Sequence, residues 1–230
     1  MVCVLAVSDV VDEGLYADLG PVRAAELIVA CGDLPFEYLG YLMNGLDVPL
    51  VFVPGNHDPD LSGYRCARNG LILRAGLPAS PPWPDGAVNA DGRIVDAAGL
   101  RLAGLGGCRR YGSGPNQYSD RQLARRALAL RRRAAWLRLR GGRRVDILLT
   151  HAPPLGIGDG TDPPHRGVAA LHGLVAAMAP DVLLHGHVLR HDAGPGGPGG
   201  RLGRTAVRNV IGRHLLDIRP DGHAGERHAR

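Results

Sequence analysis

The chain has 230 residues and a formal charge of +5 from 27 basic and 22 acidic side chains. That length fits one domain with a sizeable core, and no apolar run is long enough for a helical membrane span, which is therefore excluded. Every basic residue is Arg, amid abundant Ala, Gly and Pro. This is a compositional habit rather than a nucleic-acid footprint, and the Arg-rich stretch 121–144 reads as the solvated face of a helix. Cys3, Cys31, Cys66 and Cys108 are scattered without a Cys-x-x-Cys pair, so free thiols are expected rather than a disulfide framework or a zinc cluster. The start lacks a positive n-region and its apolar run meets Ser8-Asp9, so it reads as a strand rather than a signal peptide, and a cytoplasmic protein is expected.

In chain order, Val2 to Val7 reads as a strand that runs into Ser8-Asp9. Leu15 to Ala25 has helical character, and Glu26 to Ala30 is a second strand ending in Cys31-Gly32-Asp33. A short helix over Glu37 to Leu46 leads to the apolar strand Pro49 to Val53, tipped by Pro54-Gly55-Asn56-His57-Asp58. The alternation of strand and helix predicts a layered α/β sheet. Leu71 to Leu73 reads as a short strand, and Arg93 to Asp96 with Leu100 to Gly104 as a hairpin, so a second sheet is expected. A Gly-rich loop over Gly104 to Tyr118 precedes a helix of roughly 18 residues from Asp120 to Leu137. Val145 to Thr150 is a strand tipped by His151, a helix spans Gly167 to Met178, and Val182 to Leu184 ends in His185-Gly186-His187. After a flexible loop at Gly194 to Gly200, Thr205 to Val210 and Leu215 to Ile218 are the last strands. One domain over 1–219 and a disordered tail over 220–230 are expected.

The informative feature is recurrence. Five strand ends carry Asp9, Asp33, Asn56-His57-Asp58, His151 and His187. A lone Asp at a strand end is usually a turn or cap, but five polar tips on buried strands are hard to explain that way. Carboxylate with imidazole suits Mn²⁺, Fe²⁺ or Zn²⁺, and the neutral Asn oxygen keeps such a site from becoming too anionic to accept a phosphate.

The order Asp9, Gly32-Asp33, Gly55-Asn56-His57-Asp58, His151 and Gly186-His187 resembles the calcineurin-like metallophosphoesterase superfamily. The resemblance implies a sandwich of two mixed β-sheets flanked by helices, with one or two divalent ions at the strand ends. It implies hydrolysis of a phosphate mono- or diester by metal-activated water, on a small molecule or nucleotide. Carried over by position, Asp9 and Asp33 would hold the first ion, and Asp33 would bridge to a second held by Asn56, His151 and His187. His57 would contact the phosphate and protonate the leaving group, with Asp58 orienting its ring. Arg109 and Asn116, in the Gly-rich loop, are further candidates to touch substrate.

Two departures affect one site. Val11 and Leu189 stand where the family pattern has His, leaving the first site only Asp9 and Asp33. The sequence leaves three outcomes open: one tight ion, substitution by Asp12, Glu13 or His191, or a degenerate metal- or nucleotide-binding scaffold without turnover. A nuclease drawn to its substrate by the Arg-rich helix is the less favoured third function.

Overall fold

The computed structural model describes residues 1–67, 70–189, 192, 194, 197, 199–219 and 223–226. Two six-stranded sheets dominate. Across the first, the strands run His223–Glu226, Gly212–Arg219, Val2–Ser8, Leu27–Ala30, Leu50–Phe52 and Val88–Asn89. The last four are mutually parallel, and the first two join antiparallel. Across the second they run Gly199–Leu202, Thr205–Asn209, Val182–His185, Ile147–Thr150, Leu100–Leu105 and Ile94–Ala97, parallel in the centre with antiparallel edges.

Period-two alternation sorts the side chains. Val2, Val4 and Ala6 face Leu102, Ile147, Leu149 and Leu184 of the second sheet in a shared core. Leu5 and Val7 point the other way, against Leu39 and Leu42 of the helix Phe36–Leu46 and toward Trp83. On the second sheet, Ala103, Leu148 and Leu183 pack outward against the helices Asp120–Leu139 and Ala170–Met178. The result is helix, sheet, sheet, helix. Strands covered on both faces carry apolar side chains on both, so each reads as a continuous apolar run. Each such Leu or Val contributes about 1.5–3 kcal/mol by leaving water.

The helix Asp120–Leu139 begins at a capping box in which Ser119 Oγ accepts from Gln122 N (3.3 Å) and Gln122 Oε1 accepts from Ser119 N (2.8 Å). Its buried stripe is only Leu123, Ala127, Leu130 and Ala134, so most of its arginines face water, as the sequence predicts. No described helix is long and apolar enough to cross a membrane. No disulfide joins any of the four cysteines.

Local departures have local causes. The helix expected over Leu15 to Ala25 is one turn at Gly14–Ala17 and a 3₁₀ turn at Gly20–Val22. Asp18 Oδ1 accepts from Gly20 N (2.7 Å) and Pro21 supplies no N–H, so the helical ladder stops. The strand expected at Leu71 to Leu73 is Ile72–Arg74, paired with Tyr64–Cys66 and Leu77–Pro78 in a separate three-stranded sheet. The Ile94–Ala97 hairpin turns through Ala98 and Gly99, both at positive φ as a two-residue turn requires. The loop before the long helix contains a two-residue parallel pairing of Cys108–Arg109 with Gln117–Tyr118. In the tail expected to be disordered, His223–Glu226 adds an edge strand.

Candidate metal centre

The polar tips all follow the carboxyl ends of parallel strands, where an open α/β sheet leaves its crevice. Three of these residues leave their strands in the left-handed region: Asp9 and Asp33 at φ 58° and His187 at φ 69°. A non-Gly residue there costs about 1–2 kcal/mol, less for Asp, and persists only if its surroundings hold it. They do. Asp9 N–H donates to Gly32 O (3.1 Å), and His187 N–H donates to the Asp9 carboxylate (3.0 and 3.1 Å). Ser8 Oγ, fully buried, also donates to Asp9 Oδ2. Close approach explains two glycines: a Cβ on Gly55 would collide with Asp33, and one on Gly186 with Asp9 and Ser8.

His151 sits at the centre, completely buried. Its Nδ1 lies 2.7 Å from Cys31 O, an atom that can only accept, so Nδ1 carries the hydrogen and Nε2 faces the site. Nε2 is 2.9 Å from Asn56 Oδ1 and 3.3 Å from Asp33 Oδ2. Asn56 is turned this way because its Nδ2 donates to Tyr111 Oη (3.0 Å). His187 Nε2 donates to Pro164 O (2.8 Å), which leaves Nδ1 free, and its ring centroid is 4.7 Å from that of His151. Ligand atoms of Asp33, His151 and His187 lie within 4.8 Å of one another.

The electrostatics follow from burial and convergence. Burial by itself would depress His151, but the hydrogen bond and charge of Asp33, helped by Asp9, push it up to about 9. Burial works against Asp33 too, yet the His151 contact holds its carboxyl below the usual range. Burial and the neighbouring His151 take His187 down to about 3, and burial takes His185 to about 4. Burial raises Asp9. With His151 neutral and Asp33 ionised, the lone pairs of Asn56 Oδ1, Asp33 Oδ2 and His151 Nε2 would point at one another. A positive charge resolves that repulsion, either a proton on His151 or a cation. With two imidazoles, a carboxylate and an amide oxygen, the donor set fits a divalent transition ion.

A model of calcineurin-like phosphoesterases matches residues 4–191, most of the chain. The chain belongs to the calcineurin-like phosphoesterase family. A solved structure with 14% identity matches at a TM-score of 0.61 over 99% of both chains. TT1561 of Thermus thermophilus matches with 17% identity and a TM-score of 0.60, again over 99% of both. These likenesses bear on the fold. No curated protein matches the chain significantly. The two-sheet sandwich that the resemblance implies is the observed one, and the family hydrolyses phosphoesters with divalent metals.

Within that family pattern, the structure brings Asp33, Asn56, His151 and His187 together. Asp9 stands beside them through its bonds to His187 and Ser8. His57 is exposed, and its backbone N–H donates to Asp33 Oδ1 (2.8 Å). Asp58 does not orient the His57 ring by any described hydrogen bond. Its Oδ2 instead accepts from Gly55 N (2.7 Å) and Asp33 N (3.0 Å), tying two tips together, and burial raises its carboxyl.

Both proposed substrate contacts in the Gly-rich loop are otherwise engaged. Arg109 forks onto Asp120 at the start of the long helix (3.0 and 3.2 Å), because an exposed guanidinium takes the nearest carboxylate. Asn116, buried and at φ 53°, donates from Nδ2 to Gly55 O, Asp58 O and Pro59 O at 2.9, 3.0 and 3.3 Å. It clasps the Asn56-His57 loop from behind. The substitutes for the missing ligands fare similarly. Val11 packs, partly buried, against the core over the first sheet, and Leu189 is exposed. Asp12 caps its own turn through Gly14 N (3.0 Å) and pairs with Arg213 (2.9 Å), while Glu13 is exposed. His191 and Arg190 lie outside the described residues.

Sequence reasoning missed Tyr111 and Pro164 O, which orient Asn56 and His187. Neither has a local signal, since both contacts join segments far apart in the chain. A cleft of about 500 Å³ lies behind the tip loop, lined by Pro54, Tyr64, Trp83, Asn116 and Tyr118. None of the clustered donors lines it.

Proposed function

We propose that the chain hydrolyses a phosphate ester of a small molecule or nucleotide at one divalent ion held by Asp33, Asn56, His151 and His187. The observation that carries this reading is the meeting of Asn56 Oδ1, Asp33 Oδ2 and His151 Nε2 at 2.9 and 3.3 Å, with no cation beside them among the described residues other than a protonated His151. A bound Mn²⁺, Fe²⁺ or Zn²⁺ would supply Lewis acidity, lowering the pKa of water and neutralising phosphoryl charge. The protein does the rest. His151 and His187 hold their rings through Cys31 O and Pro164 O, which keeps the coordinating nitrogens aimed. Exposed His57 meets the ester from solvent, and its ring donates a proton to the departing oxygen. Its backbone is locked to Asp33, so the ring and the ion site move as one unit. Asp9 acts as a strut for His187, and with Val11 and Leu189 in place of His the first site has no imidazole among the described residues, so a single ion is expected.

The rival is a metal- or nucleotide-binding scaffold without turnover, favoured by Val11 and Leu189. Metal content per chain, measured on wild type and His151→Ala purified without chelator, separates the readings together with hydrolysis of an aryl phosphodiester. One ion lost with His151, and turnover lost in His57→Ala, is the expected result. Two ions per chain would restore the first site. Metal-loaded wild type no faster than His57→Ala would establish the scaffold.

A further inference from the structure

The bond between Asn56 and Tyr111 has a fixed polarity. An amide NH₂ cannot accept, so at 3.0 Å the Tyr111 hydroxyl must accept from Asn56 Nδ2, and its own hydrogen points elsewhere. Among the described residues no acceptor takes that hydrogen, and Tyr111 is 40% exposed. The loop that carries it is anchored on both sides. Gln117 Oε1 accepts from Tyr111 N (3.2 Å) and Gly112 N (2.9 Å). Cys108 N donates to Asn116 O (3.0 Å), and Asn116 clasps the loop bearing Asn56. Tyr111 is therefore held at the rim of the centre with one hydrogen to give.

We propose that Tyr111 is a further substrate-binding residue. Its oxygen fixes the Asn56 amide with Oδ1 toward His151, and its hydroxyl hydrogen donates to a phosphoryl oxygen of the bound ester. The assignment rests on the proposed function and deepens it, naming an anionic, hydrogen-bond-accepting phosphoryl group as the ligand that this edge of the site reads. Nothing near Tyr111 in the sequence announces the role, because it depends on a contact across 55 residues.

The test uses full-length wild type, Tyr111→Phe and Tyr111→Ala. Mn²⁺ binding is followed by the spectrum of the free ion, inorganic phosphate binding by calorimetry at saturating Mn²⁺, and folding by thermal unfolding. Phe keeps the ring and removes only the hydroxyl. It should unfold at the wild-type temperature, bind Mn²⁺ about tenfold or more weakly as Asn56 loses its orienting partner, and bind phosphate about tenfold more weakly from the lost bond to a charged group. Wild-type phosphate affinity in Tyr111→Phe at saturating Mn²⁺ overturns the assignment, even if Tyr111→Ala is impaired, since then the ring alone matters. Wild type that binds Mn²⁺ but no phosphate overturns it as well. Wild type that binds none of Mn²⁺, Fe²⁺ and Zn²⁺ removes the proposed function itself, a failure seen before any variant is compared, and if only Fe²⁺ or Zn²⁺ binds, that ion replaces Mn²⁺ in the comparison.

Discussion

Replacing Asn116 by Ala separates a loop clasp from a substrate contact. The side chain reaches three carbonyl oxygens, two of them at 2.9 and 3.0 Å and a weaker one at 3.3 Å. Each strong bond contributes about 1 kcal/mol net, and more is lost where truncation leaves a buried carbonyl unpaired. Asn116 also occupies φ 53°, a conformation that costs Ala about 1 kcal/mol more than Asn. The sum is about 3 kcal/mol, which for a chain of this size lowers the melting temperature by about 6–12 °C. Asn116→Gly relieves the backbone strain but not the lost bonds, so it should recover about a third of that loss. Asn116→Asp should be at least as damaging as Ala, since it turns a carboxylate toward three carbonyls. The assay is thermal and urea unfolding of the three variants beside hydrolysis of an aryl phosphate. An unchanged melting temperature in Asn116→Ala with a raised KM would refute the clasp and return Asn116 to the substrate.

Two further outcomes follow from the same geometry. In chelator, the folded His151 sits near 9, above its unfolded value, so its contribution is full below about pH 6.5 and is lost as pH rises toward 9. His187 and His185, held near 3 and 4, act oppositely, and stability falls as pH drops below about 6.5. Urea midpoints without metal should therefore peak near pH 6.5, whereas saturating Mn²⁺ should flatten the alkaline side; an alkaline limb unchanged by metal would contradict this. Arg109→Ala should leave KM for an aryl phosphate unchanged and cost at most about 1 kcal/mol, because its guanidinium serves a half-exposed pair with Asp120. A severalfold rise in KM would show that the pair opens for substrate.

The strands and their tips were legible because physics writes them locally. A strand buried on both faces needs consecutive apolar side chains, and Val2 to Val7 or Val182 to Leu184 shows them without ambiguity. The tips needed Gly where loops meet backbone to side chain, so Gly55 and Gly186 sit beside the donors. What stayed hidden is the choice of partner. Arg109 and Arg110 look equally free in the sequence, but one pairs with Asp120 and the other with Gln117 O and Gln122. Asn116 and Tyr111 lie five residues apart in one loop, yet one turns inward and the other to the rim. That sorting is decided by the path of the loop over the Gly55 to Asp58 tip, which no periodicity encodes.

Val11 and Leu189, standing where the family pattern has His, also bear on what Asp9 does in the proposed centre. With Val11 packed, partly buried, against the outer core, and Asp12 drawn off by Arg213, no described neighbour joins Asp9 in offering a donor there except Asp33. Asp9 nevertheless stays partly buried, at a strained φ, with both oxygens engaged by His187 N–H and one also by Ser8 Oγ. A carboxylate kept at that energetic cost needs a role, and the geometry supplies one. It pins the backbone of His187, whose left-handed turn brings its ring beside that of His151. On the proposed reading, the strand-end Asp works through His187 and keeps the donor cluster anchored without holding an ion itself.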